Sequence, residues 1–131
     1  MNYQIRLAQR FEVARLPAIE RAAAQQYQPY LSQLELAPNL LTDIAPVSFM
    51  LRAQGDQRLW VAEVNPSSAG AVLAGFVLTR TLTHSFFIVE IDVMPTYGRC
   101  GIGSALMQAA CEAGMARGFD AVSLTTFRHI P

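Results

Sequence analysis

Three glycines stand between a β-forming run and a helix-forming run in IDVMPTYGRCGIGSAL, residues 91–106: Gly98, Gly101 and Gly103. A strand that passes through glycines into a helix N-terminus presents amide groups with no intrahelical partner, at the positive end of the helix dipole. Glycine admits positive φ and lets the backbone come close to a ligand. A turn of this kind is an anion site, with phosphate its usual occupant. Arg99 adds a charge-assisted donor where its side chain turns inward.

Two familiar phosphate loops fail on particular residues. The G-x-x-x-x-G-K-[ST] loop of nucleoside triphosphatases has its glycine spacing in Gly98 and Gly103, but Ser104-Ala105 follows where lysine must stand. The dinucleotide fingerprint G-x-G-x-x-G begins at Gly101 and Gly103, but Leu106 takes its third glycine place, and the strand before it follows a meander.

The elements that must position this turn are read from periodicity. Residues 3–8, YQIRLA, alternate as a strand does. From about Val13 to Tyr27 the pattern is helical, with Leu16, Ile19, Ala23 and Tyr27 near one face and Pro17 acceptable in the first turn. Residues 28–46 carry Pro29 and Pro38 and read as an irregular connection, followed by a short helix from Pro46 to Gly55–Asp56. RLWVAEV (58–64), AVLAGFVLTR (71–80) and SFFIVEIDV (85–93) are three consecutive antiparallel strands. After the glycines, Ile102, Ala105, Leu106, Ala109, Ala110 and Ala113 trace an amphipathic helix that Gly118 ends after Arg117. AVSLTTF (121–127) is a last strand, so the final helix closes a βαβ unit with a parallel pair. The expected fold class is α/β, a mixed sheet in the order β-α-α-β-β-β-α-β, antiparallel in its centre with a parallel crossover.

Composition bounds the function. At 131 residues, 52% hydrophobic and 15% charged, the chain has the makeup of one compact domain. Ten basic and ten acidic residues balance to a net charge of zero, which argues against nucleic acid held on a basic surface. Cys100 and Cys111 form no CxxC pair and no disulfide framework. The N-terminus has no signal-peptide pattern and no apolar run reaches the roughly 18 residues of a membrane span. A soluble, cytoplasmic protein without a membrane partner is expected.

The stretch VEIDVMPTYGRCGIGSALM resembles the acetyl-CoA-binding motif of the GNAT acyltransferase superfamily, and the order of elements is similar along the whole chain. In that family a strand with a Val-x-Pro lead-in, here DVMPTY, is followed by a Gln/Arg-x-x-Gly-x-Gly/Ala turn and a helix. Gly101 and Gly103 match the last two turn positions. Gly98 takes the Gln/Arg place, with Arg99 one position later, and Cys100 stands where a basic or small polar residue is common. The family continues past the last strand with another helix and two strands, so residues 1–131 read as one N-acetyltransferase-like domain that is C-terminally short.

The resemblance implies an acetyl-CoA cosubstrate and no metal. Its pyrophosphate would lie on Gly98, Arg99, Cys100, Gly101, Ile102, Gly103 and Ser104. Its pantetheine would pair with the backbone of Ile91, Asp92 and Val93, where the family has a bulge and a splayed parallel pair. An amide near Val93 would receive the charge that develops on the acyl oxygen. Direct attack by an amine on the thioester requires a neutral amine, hence a general base or a water chain. Glu90, which leads into the bulge, is the first candidate for that base; Asp92, on the same face by alternation, is second and Glu63 third. The bland alternative for these carboxylates is a solvated strand face. The implied partners are an acyl-CoA and an amine acceptor, whether small molecule, peptide or protein, and the family also forms homodimers. A second function class, a non-catalytic CoA-binding or interaction module, stays open.

The remaining conspicuous residues have plainer readings. Trp60, Phe76, Phe86 and Phe87 are core or sheet-face residues. His84 falls in a hairpin loop and His129 at a strand exit, and neither has a partner at metal-ligand spacing. Cys111 lies off the strict apolar face of its helix, Cys100 neighbours the proposed phosphates, and Gly114 marks close packing of the helix on the sheet.

Overall fold

The computed structural model describes residues 2–25, 45–65 and 70–124. Five strands form one sheet whose spatial order is the chain order: β1 (Tyr3–Leu7), β2 (Leu59–Val64), β3 (Val72–Thr81), β4 (Ser85–Val93) and β5 (Ala121–Leu124). Each of β1 to β3 pairs antiparallel with the next, and β4 pairs parallel with β5. Helices α1 (Leu16–Ala24) and α2 (Val47–Gly55) lie between β1 and β2 in the chain, and α3 (Ile102–Ala116) makes the crossover from β4 to β5. The mixed sheet and its order are those expected from the sequence.

Two helix starts differ from expectation for local reasons. Residues Arg10–Arg15 form a 3-10 turn, and α1 begins at Leu16 rather than near Val13. Pro17 in a helix already formed at Val13 would strike that residue's carbonyl, so the α-helix starts only where proline falls in its first turn. Pro46 is the N-cap of α2 rather than its first residue, because its ψ of 139° is extended; its carbonyl accepts the N–H groups of Phe49 and Met50. The expected continuation of α1 to Tyr27, the connection through residue 44, residues 125–127 of the last strand and His129 lie outside the described residues.

Each face of the sheet has its own core. On one, Val13, Leu16 and Ile19 with Met50 and Ala53 of α2 pack on Leu59, Val61, Leu73, Phe76 and Leu78. On the other, Ile102, Leu106 and Ala110 of α3 cover Trp60, Ala62, Val77, Phe86 and Ile88. Trp60, Phe76 and Phe86 are thus core residues; Phe87 is half-buried and His84 exposed. Gly114 makes the close approach its place suggested: a Cβ there would lie 2.8 Å from Val122 Cγ2 and 3.1 Å from Phe86 Cβ.

Two bulges set the geometry near the glycine turn. Ala62 and Glu63 oppose Gly75 and Leu73, which leaves Ala74 unpaired in β3; Leu78 and Thr79 oppose Glu90 and Ile88, which leaves Val89 unpaired in β4. A bulge puts two residues opposite one and bends the strand. Side chains of Phe86 and Ile88 face α3, and beyond the bulge so do those of Ile91 and Val93. Val89 therefore packs on the α1 side, and Glu90 and Asp92 alternate to that side with it.

Candidate active site

The glycine turn opens α3 as the sequence implied. After β4, a short 3-10 turn at Pro95–Tyr97 leads through Gly98 in an extended conformation to Arg99 at φ +62° and Gly101 at φ +84°. Gly101 is the N-cap and no side chain among the described residues caps the helix; the first helical hydrogen bond runs from Ala105 N–H to Gly101 O at 3.0 Å. The amides of Ile102, Gly103 and Ser104 precede that bond and have no partner within the helix. Gly98, Arg99, Cys100, Gly101 and Ser104 are exposed, while Ile102 is buried and anchors the turn to the core. Arg99 occupies the left-handed region, which costs an ordinary residue roughly 1 kcal/mol. A Cβ at Gly103 would lie 3.8 Å from Val93 Cγ2, so the turn rests directly against the end of β4.

The end of β4 has its backbone groups sorted by pairing. Met94 N–H donates to Ala74 O at 2.7 Å, and Asp92 O lies 2.6 Å from where a Cβ on Gly75 would sit, so both groups face β3. All peptide bonds described are trans. Across a trans peptide the N–H and C=O point oppositely, so Val93 N–H and Val93 C=O face away from β3. On that side the described pairing with β5 runs from Ser85↔Ala121 to Ile88↔Leu124.

A third carboxyl group joins the two that the sequence singled out. Glu20 of α1, only 3% exposed, reaches the α1 side of the sheet, and oxygens of Glu20, Glu90 and Asp92 all lie within 4.8 Å of one another. Ala45 N–H donates to both oxygens of Glu20, at 3.0 and 3.3 Å. Glu90 Oε2 and Asp92 Oδ2 are buried and have no hydrogen-bond partner among the described residues. Burial pushes all three carboxyls up, Asp92 to about 6, Glu90 to about 7 and Glu20 to about 9. Glu90 reinforces the rise at Glu20, which the Ala45 N–H and Arg21 oppose. Asp92 reinforces it at Glu90, where a hydrogen bond with Glu20 works the other way.

Three carboxylates this close do not all ionise at neutral pH, and the protons they keep supply donors to the oxygens that have none. Among the described residues this is also the one group of acidic side chains close enough for a cation to use. A hard cation would compete there with the protons that burial already favours on these carboxyls.

Glu63, the third candidate base, stands apart. Its Oε1 accepts Arg6 Nε at 2.9 Å, while the Arg6 guanidinium forks onto Glu12 at 2.9 and 2.7 Å. Burial alone would raise Glu12, but the Arg6 hydrogen bonds and the Gln9 N–H bring it below the usual carboxylate range, and Arg6 is raised in turn. A groove of about 590 Å³ lined by Ile5, Leu7, Trp60, Ala105 and Ala113 lies on the α3 side, across the sheet from the carboxyl cluster.

The sequence carried a signal for Glu20 that periodicity alone passes over. Glu20 stands four residues after Leu16 and three before Ala23, on the apolar face of its own helix. A carboxylate there must find a buried partner or keep its proton.

The model of the acetyltransferase (GNAT) family matches residues 17–129, and the chain belongs to that family. Among solved structures it is similar to the PaiA N-acetyltransferase of Thermoplasma acidophilum in complex with coenzyme A: TM-score 0.72, 15% identity, covering 98% of this chain and 82% of the other. An aminoglycoside acetyltransferase from an uncultured soil metagenomic sample gives a TM-score of 0.66 at 16% identity over 99% and 83% of the two chains. The ribosomal-protein-S18-alanine N-acetyltransferase of Escherichia coli gives 0.68 at 18% over 98% and 69%. At these identities the likeness is one of fold.

Proposed function

We propose that this protein transfers an acetyl group from acetyl-CoA to a primary amine, with Glu90 as the general base. The observation that carries the reading is the carboxyl cluster that Glu20 of α1 forms with Glu90 and Asp92 of β4, the strand that leads into the N-terminus of α3. The amides from Ile102 to Ser104, which have no partner within the helix, suit a pyrophosphate, and Arg99 adds a cation beside them. Gly98, Cys100 and Gly101 complete the turn. A pantetheine laid along the outer side of β4 would meet the backbone of Ile91 and Val93, while Asp92 directs its carbonyl to β3.

The chemistry asked of the chain is modest. The amine nitrogen bonds to the thioester carbonyl carbon, the carbon–sulfur bond breaks, and the amine loses a proton while the sulfur leaves as a thiolate that takes a proton from solvent. Glu90, with its midpoint at about 7, is poised to take that proton directly or through one water. Val93 N–H faces the side from which the acyl carbonyl would approach and can receive the charge on its oxygen. The three carboxyls titrate as a coupled group, with Glu20 holding its proton most firmly.

Calorimetric titration with acetyl-CoA, with dephospho-CoA and ATP as controls, tests the cofactor. Saturable binding that prefers acetyl-CoA over ATP is expected. A panel of a polyamine, an aminoglycoside and a peptide with an N-terminal alanine then tests transfer, beside Glu90→Gln. The variant is expected to bind acetyl-CoA normally and to lose roughly 10²–10⁴-fold in kcat, the usual worth of a general base. Binding without turnover on any amine would replace the enzyme by a CoA-binding module.

A further inference from the structure

Gly75 is the glycine at which a side chain would collide with the backbone of β4 beside the proposed site. An ideal Cβ there would sit 2.6 Å from Asp92 O, 3.2 Å from Val93 Cα and 3.3 Å from Val93 Cγ2. The first distance is far inside any tolerated contact, and the obstacle is backbone of a central strand rather than a side-chain tip. Gly75 opposes Val93 and follows the bulge at Ala74, so β3 bends onto β4 at the peptide joining Asp92 to Val93. Glycine within a strand weakens it and commonly marks a close backbone approach. Its conformation here is not left-handed, so space, and not φ, accounts for it.

The approach fixes one peptide plane. With Asp92 C=O drawn to β3 and Met94 N–H held on Ala74 O, Val93 N–H has a single direction open to it, away from β3. We propose that Gly75 is a positioning residue: by letting Asp92 C=O lie against its own Cα, it aims Val93 N–H at the acyl carbonyl oxygen of the bound thioester. The inference rests on the acetyl-CoA reading above and adds to it a residue on a neighbouring strand that touches neither substrate. A methyl group at position 75 must push Asp92 C=O outward. The rigid peptide then turns as a unit and carries the Val93 N–H off line. An amide displaced by an ångström loses most of the differential stabilisation that oxyanion donors supply.

Infrared difference spectra of bound [1-¹³C]acetyl-CoA read this without any acceptor. In wild type the thioester carbonyl stretch should fall below its value in water, as polarisation by an aimed N–H requires. In Gly75→Ala it should return toward the free value, while the dissociation constant of CoA itself changes less than about threefold. With the best amine of the panel, kcat should fall at least about tenfold, against the ~10²–10³ that loss of a whole donor costs. An unshifted stretch and wild-type kcat in Gly75→Ala would overturn the positioning role and leave the enzyme reading standing. Failure of wild type to bind acetyl-CoA would remove both. Should Gly75→Ala not fold, ¹⁵N-resolved spectra of wild type decide: the Val93 amide must shift more on adding acetyl-CoA than on adding CoA. Equal shifts for the two ligands overturn the proposal.

Discussion

Glu20 carries the sharpest consequence at the scale of a single residue. Neutral at pH 7, it can donate to Glu90 while still accepting Ala45 N–H. Glu20→Met keeps the volume but removes the donor, so the ionised form of Glu90 loses a stabilising partner and its titration should move upward. Glu20→Gln can accept from Ala45 and still donate to Glu90, so it should leave that titration near wild type. Carboxyl ¹³C NMR across pH 4 to 10 measures both, with about one unit, a tenfold change in proton affinity, as the expected separation. Equal displacement in the two variants would show that only the lost negative charge matters. Glu90 and Asp92 could be singled out from the sequence because they sit beside a recognisable turn. Glu20 could not be chosen by the same means, because its partners arrive from a strand seventy residues away and only packing brings them together.

At the scale of an element, α3 shows what a helix needs to serve two masters. Its first turn has no side-chain cap among the described residues and leaves Ser104 exposed, while its last turns press on the sheet through Gly114. Gly114→Ala should gain helix propensity, worth about 1 kcal/mol, and yet destabilise the protein by about 1–3 kcal/mol through overpacking against Val122 and Phe86. Urea unfolding of the variant gives the sign directly; net stabilisation would mean that β5 yields where the packing says it cannot. The apolar stripe of α3 was visible in the sequence, but its centre was misplaced. The deepest positions are Ile102, Leu106, Ala110 and Gly114, with Ala105, Ala109 and Ala113 only half-buried at the flank. Five alanines, Ala105, Ala109, Ala110, Ala113 and Ala116, blur a stripe that larger residues would define.

For the whole molecule, the buried acids make stability a function of pH with an unusual sign. Glu20, Glu90 and Asp92 hold protons in the folded protein that the unfolded chain releases near ordinary carboxylate values. Their contribution is complete below about pH 4 and is lost as pH rises through about 6, 7 and 9 in turn. Glu12, held below the usual range by Arg6, works in the opposite sense and loses its contribution on acidification. Between pH 5 and 9, where Glu12 stays ionised, Tm is expected to decline, and Glu20→Gln should remove the decline's upper portion. A Tm that climbs over that interval would contradict the buried protons. The strand order and the parallel crossover were readable because alternation and helix period are local. The two bulges were not, since each is defined by a count against a neighbouring strand.

The bulge at Val89 turns sheet geometry into a question of odd and even. Up to Ile88 the even-numbered side chains of β4 face α3, and from Ile91 the odd-numbered ones do. Shortening the strand by Val89 would therefore leave every remaining side chain on its present side. Lengthening it by one residue after Glu90 would exchange the sides of Ile91, Asp92 and Val93 and thrust a carboxylate beneath Ile102. The two changes are equal in size and opposite in consequence. The chain lacking Val89 should still unfold cooperatively on heating, although without the bend that opens the strand end; the chain with one residue more should not fold. What such a strand can tolerate in its history is then governed by arithmetic before it is governed by chemistry.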